Sequence, residues 1–214
     1  MLKRTLFWLD PLTIKLLAQS LDQGHVSLTS TDTILGLLAP LMQQGFDALN
    51  GIKKSRDGKA YLILISSIQK LEHFIDLAHL DNCVVRALQR GWPGPLTVVF
   101  KAKTTLPEWL KGSDGTIALR CPNHQGLLTV LKNYDGLFST SANLSGQPSP
   151  EKLEQVDAKI LDNIDLIVLD DQNASTSASS TLIDLSDVQK GIKVLRQGAF
   201  SSQQLKEIFG DLIA

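Results

Sequence analysis

Apolar residues along this chain recur at helical spacing in some segments and form continuous runs in others. Residues 10–24 (DPLTIKLLAQSLDQG) carry Leu12, Leu16, Leu17 and Leu21 at helical spacing, with Pro11 near the start and Gly24 at the end. That pattern predicts an amphipathic helix. A short strand follows over 26–28, then the Ser/Thr-rich LTSTDTILG and an apolar segment. GFDALNGIKKS predicts a short helix. YLILISS is a continuous apolar run of strand length, which suits a strand buried on both faces. Residues 67–90 predict helices, with Leu71, Phe74, Ile75 and Leu77 and then Val84, Val85 and Leu88 on apolar faces. The GWPGP turn feeds a strand over 96–100, and further strands are expected in TIALRC, GLFSTS, DLIVL, STLIDL and IKVLR. Helices are expected in GLLTVLKNY, PEKLEQVDAKI and SSQQLKEIFGDL, the last with a Ser cap. The polar stretch 170–180 reads as a loop. Strands and helices mix without strict alternation, so the expected fold is α/β, with a twisted mixed sheet flanked by helices.

Composition narrows this picture without adding chemistry. With 214 residues the chain predicts a single domain over 1–214. Lys and Arg number 21 against 22 Asp and Glu. Such a balance argues against a protein held on nucleic acid by global charge, and leaves a local basic patch open. The two cysteines, Cys83 and Cys121, are too few for a disulfide framework or a zinc knuckle, and both read as buried reduced thiols. The N-terminal MLKRTLFWLDPL is shorter in apolar run than the roughly 7–15 residues of a signal peptide. No run approaches the ~20 residues of a membrane span, so a cytoplasmic protein with no membrane partner is expected.

Several segments carry candidate chemistry. GIKKSRDGKA holds Lys53, Lys54, Arg56 and Lys59 against Asp57, a local net charge of +3. Lys54 and Arg56 are two apart, so in an extended segment they point the same way, as two cations on a polyphosphate would. A solvated charged turn would read the same. Neither a Walker A loop nor a G-x-G-x-x-G is present. FSTSANLSG supplies Ser139, Thr140, Ser141, Asn143 and Ser145 after a strand. Such groups bind phosphate or ribose oxygens, or simply build a polar turn with a helix cap. There is no G-x-S-x-G elbow, and only folding could bring His124 to Ser141. In LTSTDTILG hydroxyl residues flank Asp32. Arg120 and Arg196 close strand-like runs, where an arginine can clamp a carboxylate or phosphate or lie on the surface. His25, His73, His79 and His124 show no metal spacing and read as structural or surface residues, so no protein-held metal is expected. Trp92 is expected to pack under its turn.

Taken in order, TSTDTILGL, KSR, GWPGPLTVVF, TIALRCP, STSANLSG, SSTLIDL and VLRQGA resemble the YrdC/Sua5 family over roughly residues 15–200. The resemblance implies a YrdC-like twisted sheet with a large, basic concave cavity. It also implies synthesis of threonylcarbamoyl-adenylate and pyrophosphate from L-threonine, bicarbonate (or CO₂) and ATP. The product would pass to a tRNA threonylcarbamoyl-transferase complex, for modification beside the anticodon of ANN-decoding tRNAs. Lys54, Arg56, Ser141, Asn143 and Arg196 would hold ATP, while Thr31, Thr33, Arg120 and Ser180 would hold threonine. Mg²⁺ would accompany ATP, and no enzyme nucleophile is required. Where the family usually reads Y-P-T-[DE]-T-x-Y-G, this chain has Thr29 to Gly36 as TSTDTILG, with Leu35 in place of an aromatic at the pocket wall. Two other readings remain: a family paralogue with another substrate or no activity, and an RNA-binding or ribosome-assembly factor, with weak RNA binding, using the basic concavity.

Overall fold

Strand residues alternate between two separate hydrophobic clusters, and that alternation places the functional face. In the computed structural model, which describes residues 4–53, 60–170, 178–187 and 191–210, ten strands form one mixed sheet. They are β1 (Arg4–Phe7), β2 (Ser27–Thr29), β3 (Gly36–Pro40), β4 (Leu62–Leu64), β5 (Leu96–Lys101), β6 (Thr116–Arg120), β7 (Leu137–Ser141), β8 (Leu166–Leu169), β9 (Thr181–Asp184) and β10 (Lys193–Arg196). Their order is β1-β8-β2-β3-β7-β4-β6-β5-β9-β10. The pairs β1/β8, β2/β8, β4/β6 and β5/β9 run parallel and the others antiparallel. The helices are α1 (Thr13–Asp22), α2 (Gln43–Lys53), α3 (Asn82–Gly91), α4 (Gln125–Leu131), α5 (Ala158–Leu161) and α6 (Ser202–Phe209).

Leu37, Ile63, Phe138 and Ile167 enter the larger cluster, with α2, α3, α5 and α6 packed on that face. Their strand neighbours Leu38, Leu64, Leu137 and Val168 enter the smaller cluster, against Leu17 and Leu21 of α1 and Leu127, Val130 and Leu131 of α4. Each such buried side chain contributes roughly 1.5–3 kcal/mol of transfer free energy. Ladder register carries the second face onward: Leu62 pairs with Ala118 and Leu64 with Arg120, Val99 with Ala118 and Asp184, and Thr97 with Leu182. The smaller cluster, and with it α1 and α4, stops at Leu38, Leu64 and Leu137. Beyond them the same face opens into a cavity.

Several expectations change. Two 3₁₀ turns, Ile68–His73 and Leu77–His79, precede α3 where helices were expected throughout 67–90. The Asp76 side chain accepts Ala78 N–H and starts the second turn afresh. PEKLEQVDAKI splits into a 3₁₀ turn at Leu153–Gln155 and the one-turn α5. Val156 is extended, and Asp157 caps Lys159 N–H to begin again. Strands β1 and β3 were not expected; β1 is mostly exposed, and β3, buried along its whole length, was read only as an apolar segment. Cys121 is buried, but Cys83 is exposed, since α3 turns Val84, Ala87 and Leu88 inward instead. Trp92 is buried and donates to Leu96 O at 2.7 Å, and Gly94 N–H bonds Cys121 O at 2.9 Å, tying the GWPGP turn to the end of β6. No helix among the described residues is long and apolar enough to cross a membrane.

Candidate functional site

The cavity has a volume of about 750 Å³ and gathers residues that are far apart in sequence. Thr31, Thr33, Arg120, Ser141, Ser180 and Arg196 line it together. Asn143 is not part of the lining, and Lys54 and Arg56 lie outside the described residues.

Arg120 closes β6 on the open face and is 3% exposed. Its Nη1 donates to Thr33 Oγ1 at 2.9 Å, and its Nη2 lies 3.4 Å from Asp32 Oδ1. Asp32 Oδ2 accepts Asn123 N–H at 2.9 Å, so one carboxylate joins the TSTDT loop to the segment after β6. The single Thr31 hydroxyl hydrogen goes to Ile34 O at 2.8 Å. Thr33 therefore donates to Thr31, at 3.1 Å. Arg120, Thr33 and Thr31 thus form one directed chain of hydrogen bonds. Burial lowers the Arg120 pKa, Asp32 opposes that and Arg196 adds to it, yet a guanidinium remains charged at neutral pH. Arg120 Nε is buried without an acceptor among the described residues. An orphaned donor costs about 1–3 kcal/mol, which an acceptor reaching it would relieve. Ile34 stands on the cavity wall, whereas Leu35 is buried in the larger core. The residue replacing the family's aromatic therefore packs the interior.

Across the cavity, Arg196 lies on the exposed strand β10 and turns inward. It donates to Ser180 O from Nε (3.2 Å) and Nη2 (2.8 Å), and Nη2 also reaches Ser180 Oγ at 3.3 Å. Ser180 Oγ pairs with Thr97 Oγ1 at 2.7 Å, and Thr97 lines the cavity as well. Behind this wall, Thr181 is fully buried. Its hydroxyl donates to Phe200 O (2.6 Å) and accepts Gly198 N–H (2.9 Å) and Phe200 N–H (3.1 Å). Thr181→Val is expected to lower stability by about 1–3 kcal/mol, because two backbone donors lose their acceptor. Thermal denaturation checks this; an unchanged midpoint would show that the hydroxyl does not hold the 197–200 loop.

The third wall is the end of β7, where Ser139, Thr140 and Ser141 face the cavity. Lys53, at the end of α2, is 5% exposed and donates from Nζ to Ser141 O (2.9 Å), Asn143 O (2.5 Å) and Asn143 Oδ1 (3.4 Å). The sequence groups Lys53 with a surface basic cluster, but this cation is spent inside the protein. Asn143 Nδ2 donates to Leu144 O and Gln147 O, so its amide is engaged within its own loop.

Asp114 and Asp184 also line the cavity. Hydrogen bonds from Thr116 hold the Asp114 carboxyl below the usual carboxylate range. The described lining therefore carries two arginines and two aspartates, whose formal charges balance.

His124 does not join Ser141. Its Nδ1 accepts Leu127 N–H at the start of α4, its Nε2 meets Asp170 at 3.1 Å, and its ring packs on Trp8 with centroids 4.9 Å apart. Burial pushes the Cys121 thiol up to about 11, which leaves it a neutral and weak nucleophile. Among the described residues no group of three His, Cys, Asp or Glu side chains could hold a metal ion. Sequence reasoning noted Lys53 only as one cation of a basic cluster and did not single out Thr97, Thr181, Asp114 or Asp184, although Thr97 lies in GWPGPLTVVF and Thr181 and Asp184 lie in SSTLIDL.

Residues 19–198 match the family model Sua5_yciO_yrdC, described as "Telomere recombination". A threonylcarbamoyl-AMP synthase of Xylella fastidiosa strain M23 is 30% identical over 159 residues, 73% of this chain and 85% of that protein. One of Klebsiella pneumoniae subsp. pneumoniae is 28% identical over 180 residues, 83% and 92% of the two chains. Among solved structures, P. abyssi Sua5 complexed with L-threonine superposes with a TM-score of 0.85 at 24% identity, covering 100% of this chain and 62% of that one. E. coli YciO gives 0.79 at 21% identity, covering 94% and 98%. The two structural likenesses show the fold.

Proposed function

Because this chain belongs to the Sua5/YciO/YrdC family, we propose that it makes threonylcarbamoyl-adenylate from L-threonine, bicarbonate and ATP, releasing pyrophosphate. The observation that carries this reading is the buried Arg120 guanidinium, fixed by Asp32 and Thr33 in the wall of a cavity with room for a nucleotide and an amino acid. Arg120 holds the threonine carboxylate, with Thr31, Thr33 and Ser180 around the amino acid. Ser141 and Arg196 meet the nucleotide. Asn143 supports Ser141 through its loop, and it reaches the nucleotide only by giving up a bond it now makes. The segment bearing Lys54 and Arg56 follows Lys53, which is anchored at Ser141, and ends at Ala60, which lines the cavity. Those two cations hold the phosphates.

The threonine amine takes up CO₂ from bicarbonate to give a carbamate. A carbamate oxygen then attacks the α-phosphorus, and pyrophosphate leaves. The residues act by placing two substrates together and by meeting the phosphate charge with fixed donors. Mg²⁺ enters with ATP as part of the substrate. The Ser139 and Ser141 hydroxyls, on one face of β7, would suit an ion that keeps most of its ligands from water and phosphate. The product is a reactive mixed anhydride, and it passes to a tRNA threonylcarbamoyl-transferase complex.

The test is pyrophosphate release with MgATP, bicarbonate and each of several amino acids. Release that depends on threonine supports the proposal; release only with another amino acid redirects it to a different substrate. Arg56→Ala is expected to cut turnover by about 10²–10³-fold with the fold intact by circular dichroism, as for removal of one charge-stabilising donor. Full turnover in that variant would sink the phosphate assignment.

A further inference from the structure

A lysine buried at a helix end beside a substrate cavity needs a reason to be there. Lys53 ends α2, where a cation suits the helix C-terminus. An ammonium has three N–H donors, and three acceptors, Ser141 O, Asn143 O and Asn143 Oδ1, lie within reach of this one. With Oδ1 turned to Lys53, the Asn143 amide nitrogen faces Leu144 O and Gln147 O and binds the turn that Gly146 closes with its positive φ of 82°. The cation thereby sets the orientation of Asn143 and the course of residues 141–147. Its nearest neighbour on the cavity side is Ser141, which lines the cavity. A neutral donor could satisfy the same carbonyls. A full charge, removed from water, is felt by an anion on the far side of Ser141 with less screening than a surface lysine would give.

We propose that Lys53 is a positioning residue for the nucleotide triphosphate. It clips residues 141–147 so that Ser141 faces the phosphates, and it lends that strand end a fixed positive charge. This rests on the reading of the cavity as an ATP site. The role is separate from that of Lys54 and Arg56, because Lys53 reaches the ligand only through Ser141 and its neighbours.

Three full-length variants test it: Lys53→Arg, Lys53→Gln and Lys53→Met. Each is assayed for KM of MgATP, KM of threonine, kcat, MgATP binding by calorimetry and thermal midpoint. The Met variant is expected to raise the KM and Kd for MgATP about tenfold, as for one lost charge-assisted contact, with the KM for threonine unchanged. The Arg variant should recover most of the loss, and the Gln variant should fall between them. Unchanged MgATP affinity in the Met variant overturns the assignment, as does an equal rise in both KM values. Loss of the fold in both the Gln and Met variants also overturns it, since Lys53 would then be purely structural. Wild-type protein that binds no MgATP overturns the ATP-site reading itself, an outcome distinct from wild-type binding that the variants retain.

Discussion

Arg120→Met is expected to abolish threonine-dependent pyrophosphate release and to lower stability by about 3–5 kcal/mol. Both effects come from one arrangement. The guanidinium is 3% exposed, and the Asp32 side chain beside it is 7% exposed. Removing the cation takes the Arg120 charge away from a carboxylate held largely out of water, and that loss is the cost. Thr33 also loses the Nη1–H that orients its hydroxyl, so the chain through Thr31 to Ile34 loosens. The two effects separate in a second variant. Asp32→Asn on the Arg120→Met background should recover much of the stability, because the carboxylate charge that faced the guanidinium is removed with it. It should recover none of the activity, because the proposed carboxylate site for threonine is still gone. Chemical denaturation and kcat/KM at varied threonine read the two quantities. Activity restored along with stability would show that Arg120 serves the fold alone.

Gly198→Ala is the other substitution with a large expected effect. A Cβ there would sit 2.2 Å from Ser179 O and 2.6–2.7 Å from the Ser180 carbonyl group. All of these are backbone atoms, so no rotamer change relieves the clash. Either the 197–200 loop or the Ser179–Ser180 wall must move, at about 1–3 kcal/mol or more. Ser180 O accepts both main hydrogen bonds of Arg196, so the movement reaches the cavity directly. Expected results are a lower thermal midpoint and weakened binding of both substrates. Gly51 provides the control. It lies in α2 with nothing within 4 Å of an added Cβ, and Gly51→Ala should be neutral or stabilising by up to about 1 kcal/mol. Equal midpoints for the two variants would refute the close-packing argument.

Apolar runs in the sequence were enough to place the central strands, and helical spacing the long helices. These patterns failed where one spacing suits two structures. Leu71, Phe74 and Leu77 are three apart, a spacing that a 3₁₀ turn satisfies as well as an α-helix. β3 is a five-residue apolar run buried throughout, which a buried helix segment would match as well. In the candidate site, Arg120 and Arg196 stood out because a charged residue ended an apolar run, whereas Thr31, Thr33 and Ser180 were assigned only through the family resemblance. Lys53 did not stand out, since one lysine in a basic run looks like its neighbours. Only its bonds to carbonyls 88 and 90 residues away set it apart. Thr181 was hidden for a similar reason, as a threonine in a strand is ordinary until its hydroxyl is seen to hold another loop. The pairing of Arg120 with Asp32 joins residues that no local pattern connects.

The half-covered sheet has an evolutionary consequence. Along β5, β6 and β9, residues that face the cavity alternate with residues that face the larger core. Thr97, Val99, Ala118 and Leu182 can therefore change without disturbing Leu96, Val98, Ile117, Leu119 or Ile183, which hold the strands in place. Ligand preference and foldability are written on alternate positions of the same strands, so lineages sharing this scaffold can drift in what they bind while remaining equally well folded. Arg120 is where that independence ends, since its charge is balanced inside the protein and cannot drift alone.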